Sequence, residues 1–400
     1  MRLTIAAALA AAAVAGCDAL TPDDAADGAA TDAPPASEAG EAADGQPGAQ
    51  PGAPAVVDAA IVQAQIGGFE GAISGAAFWS HPGVPFNGLV VAVDAGGIKA
   101  FNVEDGAPVS AVDEPGLDGV AVGYLGVGAP AAGYAVSRRP ATGDFAVFAI
   151  DNATRALTAR ASSIGAGGPV DAFCLGRDGA PDAGLALHAF GDGTLTTYGL
   201  AEGSDGLAAT ATFTRPAPAG VVSCAVDDAD GGIFALDGTG AVVRFDASGE
   251  AAEPFATTPA ARPSGLAVAL NGLVPGGDTG QCCGQVLVLD GADGVLHVYD
   301  RETGAAVGAA RIDPSFDVAA VEAASGLGVG YGNYGGALRD GAVAHVTTDD
   351  DGAPALKLTP YAGVLNAIDL AYGAPAKPRG TPADDDAEEG FAIDLPAIEP

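Results

Sequence analysis

The residues with the most chemistry to offer are five cysteines. Cys17 closes the run Val14-Ala15-Gly16-Cys17. A branched residue, two small residues and a cysteine form the bacterial lipobox pattern, in which the thiol takes a thioether-linked diacylglycerol. Arg2 and the apolar stretch Leu3 to Ala15 read as the n- and h-regions of a signal peptide. That stretch is shorter than the roughly 20 apolar residues needed to cross a bilayer. The expectation is a lipoprotein of the bacterial cell envelope. Residues 1–16 are the signal peptide, Cys17 is lipidated, and the chain faces the periplasm or the cell exterior. The several acyl chains of such an anchor hold stably where one would be marginal.

Four cysteines then remain: Cys174, Cys224, Cys282 and Cys283. An even count in an oxidising compartment permits disulfides. Their spacing is not that of metal ligands, and His81, His188, His297 and His345 are scattered, so zinc is not expected. The adjacent Cys282 and Cys283 can form a vicinal disulfide, bridge elsewhere, or act in redox sensing. Asp227-Asp228-Ala229-Asp230-Gly231 has the acidic density of a calcium loop. It lacks the full ligand spacing and terminal Glu, and reads as a turn. Asp349-Asp350-Asp351-Gly352 reads as a solvated hairpin. No Gly-x-Ser-x-Gly elbow occurs, which excludes an α/β-hydrolase.

Charge narrows the partners. The formal net charge is −35, from 51 acidic and 16 basic residues. That balance excludes nucleic-acid binding and direct adhesion to an anionic membrane. Membrane contact is expected through the lipid anchor alone. Acidity suits solubility at high ionic strength, and it suits divalent cations.

Positioning these residues falls to the segment between two low-complexity ends. Residues 17–55 are almost wholly Ala, Asp, Glu, Gly and Pro, and read as a disordered tether. Residues 374–400 read as an acidic disordered tail. Residues 56–373 repeat. Each unit has a short apolar strand, a variable loop, a Val/Leu/Ala-rich strand, a Gly or Asp-Gly turn, and a strand ending in an aromatic. The opening strands are placed near Ala76, Val120, Ala172, Val222, Leu266 and Val318, roughly 50 residues apart. In the last unit, Gly328 to Tyr331 and Ala342 to Val346 are read as the second and third strands. Period-2 alternation and the lack of amphipathic helical stretches favour strands throughout. The expectation is an all-β, six-bladed β-propeller with four-stranded antiparallel blades. Asp58 to Ile66 is expected to supply the outer strand of the last blade and close the ring, with Ala367 to Leu370 nearby. Cys174 and Cys224 occupy equivalent places on neighbouring inner strands, a placement that suits a disulfide.

A resemblance to a known family rests on ordered motifs. Ala77-Phe78-Trp79-Ser80-His81-Pro82, Leu89 to Asp94 and Gly97 to Phe101 resemble the opening blade of the β-propeller phytases (3-phytases). Phe173-Cys174-Leu175, Cys224-Ala225-Val226-Asp227-Asp228, Val298-Tyr299-Asp300-Arg301 and Leu356-Lys357 with Pro360-Tyr361 resemble later motifs in order. The resemblance implies a propeller over residues 58 to 370. It also implies calcium ions at one end, held by carboxylates. Those ions shield the phosphates of phytate and present the attacking water. Most positions that would do this are replaced: Ser74, Gly75, Ala95, Ala121, Gly123, Val222-Ser223 and Arg262-Pro263-Ser264 stand there. Tyr331-Gly332-Asn333 replaces a further Gln-Asp-Gly. What survives is Arg138 for phosphate, with Asp237 and Asp317 for metal. Two readings follow. One is a calcium-dependent phytase-like phosphohydrolase. The other is a non-catalytic propeller binding a small phosphorylated ligand or an envelope protein.

Overall fold

The computed structural model describes residues 54–126, 132–162, 164, 165, 167–177, 184–203, 206–247, 252–271 and 283–370. The signal peptide, Cys17, nearly all of the tether, Cys282 and the acidic tail lie outside them.

Short aliphatic runs punctuated by Gly and Asp-Gly turns give strands almost everywhere. The chain enters through β1 (Val56–Ile61) and β2 (Ala64–Ile66). A four-stranded antiparallel sheet follows, β3 (Gly75–Trp79), β4 (Leu89–Asp94), β5 (Gly97–Asn102) and β6 (Pro108–Asp113). Next come β7 (Asp118–Leu125), β8 (Ala132–Arg139), β9 (Asp144–Ile150) and β10 (Leu157–Ser162). They are followed by β11 (Ala172–Arg177), β12 (Leu185–Gly191), β13 (Thr194–Glu202) and β14 (Gly206–Pro216). These last two sets merge into one eight-stranded sheet, because β10 and β14 pair in parallel at Ala161–Gly206 and Ser162–Leu207. A further sheet holds β15 (Val221–Val226), β16 (Ile233–Asp237), β17 (Ala241–Phe245) and β18 (Ala252–Thr257). Then come β19 (Pro263–Asn271), β20 (Cys283–Asp290), β21 (Leu296–Asp300) and β22 (Ala306–Asp313). Last are β23 (Gly326–Gly330), β24 (Ala342–Thr348), β25 (Pro354–Pro360) and a helix, α1 (Tyr361–Ala367).

The arrangement is propeller-like. First strands pack side by side in chain order, β3 on β7, β7 on β11, β11 on β15, β15 on β19 and β19 on β23, and β23 returns to β3. Apolar side chains fill each gap between neighbouring sheets. Trp79, Val91 and Ile98 meet Tyr124, Phe148 and Ile150 in one such cluster. Each unit therefore packs on its two neighbours, which lets a long chain hold without one large core. Second strands such as β4, buried along both faces, read as unbroken aliphatic runs. No helix among the described residues is long and apolar enough to cross a membrane.

Three sequence expectations need correction. The segment Asp58–Ile66 is not one strand closing one blade. It breaks at Val62–Gln63 and braces two sheets: β2 supplies the outer strand of the last sheet as expected, antiparallel to β25, whereas β1 pairs in parallel with β22. The last unit opens at Gly326, not near Val318, so Gly328 to Gly330 belong to its first strand. The apolar residues ahead of it do not pair as a strand. Val321 and Ala324 instead fill the core against β20 and β21, and the backbone carbonyl of Ala320 accepts from Lys357 Nζ at 3.0 Å. A helix also forms at α1. Its Tyr361, Val364 and Leu365 are buried at helical spacing against β1 and its neighbours.

Candidate functional site

Several positions where the resemblance implies carboxylates, Ser74 and Ser264 among them, lie at or beside the starts of first strands. Uncharged serines there tie strands together. Ser74 Oγ accepts from the Gly119 amide at 3.0 Å, and Ser137 Oγ donates to the Gly119 carbonyl at 2.7 Å. Ser223 Oγ accepts from the Leu266 amide at 3.0 Å, and Ser264 Oγ donates to the Ala324 carbonyl at 3.2 Å. The Ser74, Ser223 and Ser264 bonds each join one unit to the next, and the Ser137 bond ties β8 to β7 within its unit, so these side chains are spent on cohesion.

The three surviving candidates do not converge. Arg138, near the end of β8, pairs with Asp118 at the start of β7. Asp237 closes the β16–β17 turn, accepting from the Thr239 amide (2.8 Å), Thr239 Oγ1 (2.7 Å) and the Ala241 amide (3.0 Å). Partial burial pushes its pKa up, but those hydrogen bonds outweigh it and hold the carboxyl below its usual range. Asp317 is exposed in the loop after β22. Among the described residues, no three His, Cys, Asp or Glu side chains group to hold a metal ion. A multi-calcium cluster needs several converging carboxylates, and these residues do not fit one.

The acidic turn after β15 is likewise committed. Asp227 is fully buried and meets Arg301 Nη1 at 2.5 Å, linking two units. Burial pushes the Asp227 carboxyl up despite the guanidinium. Asp230 pairs with Arg244. Asp349 accepts from the Asp351 and Ala353 amides, as a hairpin residue should. His81 is a loop staple: Nδ1 accepts from the Gly83 and Val84 amides, so Nε2 carries the proton and donates to the Asn152 carbonyl at 2.7 Å.

A cavity of about 180 Å³ runs between the first strands. Ala77, Val120, Val122, Ala225, Leu327 and Val329 contribute aliphatic surface, while more than half of the exposed lining is polar. Cys174 and Cys224 also line it and are joined by a disulfide, with Cα atoms 5.6 Å apart. Polar groups gather where the first strands end. The Ser80 amide donates to Tyr124 Oη at 2.6 Å, and Tyr124 Oη donates to the Ser80 carbonyl at 2.9 Å. Ser80 Oγ and Tyr334 Oη share a hydrogen bond of 2.9 Å. Tyr331 Oη donates to Asp228 Oδ2 at 2.7 Å. Burial, reinforced for Tyr124 and Tyr331 by the Asp228 carboxylate, pushes all three phenols above their ordinary range, so they stay protonated.

Glycines make room for this cluster. A Cβ on Gly330 would collide with the Tyr334 hydroxyl and the Phe78 ring. The chain has only eight tyrosines, and three of them meet here. The run Gly330-Tyr331-Gly332-Asn333-Tyr334-Gly335 was the available signal, of which Tyr331-Gly332-Asn333 stood out in the sequence only as the replacement of a Gln-Asp-Gly.

Compared with models of known families the chain matches none, and no curated protein matches it in sequence.

Proposed function

We propose that residues 56–373 form a six-bladed propeller on a phytase-like scaffold that binds a small ligand in its central channel. It does not hydrolyse phytate with calcium. The closed succession of first strands supports the count of six, with the eight-stranded sheet as two blades joined at their outer strands. Lipidated Cys17 and the 17–55 tether hold the propeller at the cell envelope.

The observation that carries this reading is the division of labour between the two ends of the first strands. At one end, Ser74 and Ser264 bridge blades where the resemblance requires carboxylates, and Ser223 bridges beside the one lost at Val222. At the other, phenols surround a single carboxylate, and the cavity wall holds no Lys, Arg or His. A polyanion such as phytate would meet a like charge there with nothing to offset it. The experiment is calorimetric titration of the full chain with calcium chloride. Heat of dilution alone is expected. Saturable binding of several ions, lost in Asp237→Asn and Asp317→Asn, would restore the calcium-dependent reading.

A further inference from the structure

The Cys174–Cys224 disulfide sits where a small molecule can reach it. Both residues line the cavity between the first strands, a space of about 180 Å³. Cys174 is 5 % exposed and Cys224 is half-buried, so an entering thiol meets Cys224 first. The bond ties β11 to β15, the first strands of two neighbouring units.

An unpartnered ring nitrogen lies beside it. His188 on β12 stands directly opposite Cys174 on β11 in antiparallel register. Side chains of such a pair share one face of the sheet, with Cβ atoms about 4.5–5.5 Å apart. On its other side His188 stands opposite Thr197 of β13, and its Nδ1 shares a 3.0 Å hydrogen bond with Thr197 Oγ1. That bond occupies the ring edge facing β13. Nε2, on the other edge, has no partner although the residue is buried. Burial holds the ring neutral at pH 7. When Nδ1 donates to Thr197, Nε2 presents a bare lone pair. Leaving such an acceptor unsatisfied costs free energy in the oxidised protein. A disulfide has no hydrogen to give it, whereas a thiol at Cys174 has one.

We propose that Cys174–Cys224 is a redox site reduced by small thiols entering the channel, with His188 as the acceptor that stabilises reduced Cys174. The thiol gives its proton to solvent, and its sulfur bonds to Cys224 Sγ as the Cys174–Cys224 bond breaks. The electron pair of that bond leaves on Cys174 Sγ, which takes a proton from solvent and donates a hydrogen bond to His188 Nε2. A second thiol then attacks the mixed disulfide and releases Cys224 as a thiol. Two external thiols end as one disulfide, and two electrons have passed to the protein. Reduction removes the covalent tie between β11 and β15 at the channel wall. This chemistry is independent of what the channel binds.

The test uses the full folded chain with 2-mercaptoethanol as a monothiol probe and dithiothreitol buffers as a dithiol probe. Native alkylation followed by peptide mapping reads Cys174 and Cys224 separately from the other cysteines. The mixed disulfide with 2-mercaptoethanol is expected on Cys224, with free thiol on Cys174. Its rate of formation should not change in sub-denaturing urea. His188→Leu, with its fold verified by circular dichroism, should need about a tenfold higher ratio of reduced to oxidised dithiothreitol for half-reduction. An unchanged ratio in that variant would overturn the role of His188. A rate that climbs steeply with sub-denaturing urea would show a bond reached only by unfolding, and would overturn the redox site. So would a mixed disulfide on Cys174. The last two results are read on the parent protein, so they decide the matter even where His188→Leu fails to fold.

Discussion

Between pH 7 and pH 4 the protein should lose about 6 kcal/mol of folding stability through two histidines alone. His188 is 2 % exposed and His345 fully buried. His188 Nδ1 shares a 3.0 Å hydrogen bond with Thr197 Oγ1, but its Nε2 has no partner. Neither ring nitrogen of His345 has one, and its cross-strand neighbour is the buried Lys357. Burial pushes His188 down to about 4. Burial, then the Lys357 charge, pushes His345 down to about 3. Both rings are thus neutral in the folded protein, while in the unfolded chain they titrate near 6.5. The unfolded state takes up protons first. Stability is therefore complete above pH 6.5 and falls with pH until the folded values are reached. A loss of this size is comparable to the whole stability of an ordinary domain. Urea midpoints at pH 7 and pH 4 measure it. His345→Leu, close in volume, should retain about 3 kcal/mol more than the parent at pH 4. An unchanged pH slope in that variant would refute the assignment.

Removing the Cys174–Cys224 disulfide should cost about 4 kcal/mol. The bridge closes a loop of 50 residues in sequence, so it removes considerable freedom from the unfolded chain. It also joins the first strands β11 and β15 beside the channel, adding a covalent tie to the packing between those two units. The double variant Cys174→Ala/Cys224→Ala should unfold at lower urea and be indifferent to dithiothreitol. The parent should fall toward it when reduced. A variant within about 1 kcal/mol of the oxidised parent would contradict this.

The two predictions differ in how far the sequence announced them. Cys174 and Cys224 sit at the same phase of consecutive repeats, and repeat phase places residues on adjacent first strands. Their proximity was legible for that reason. The strands of the first unit were legible too, because Leu89 to Asp94 and Gly97 to Asn102 are apolar runs around a glycine turn. The brace formed by β1 and β2 was not. Its ten or so residues carry one continuous pattern, and only the geometry of two separate sheets divides it at Val62–Gln63. The cluster of Tyr124, Tyr331 and Tyr334 was hidden by a phase error. Reading Val318 as a strand start displaced Tyr331 to the second strand of the last unit, whereas Val321 and Ala324 of the preceding loop pack into the core. Ser80 and Tyr334 are 254 residues apart, and no local pattern reports a contact made only when the ring closes. Ser74 and Ser264, at the opposite end, were visible as losses of carboxylate. What they do instead, donating and accepting across blades, depends on neighbours that the sequence does not identify.

Phosphate release from phytate tests the central claim most directly. The full chain would be incubated with phytate, with and without millimolar calcium, and inorganic phosphate measured over time. The serine-bridged first-strand ends and the uncongregated Arg138, Asp237 and Asp317 predict no release above the buffer control in either condition. Calcium-dependent release that Asp317→Ala abolishes would contradict the account.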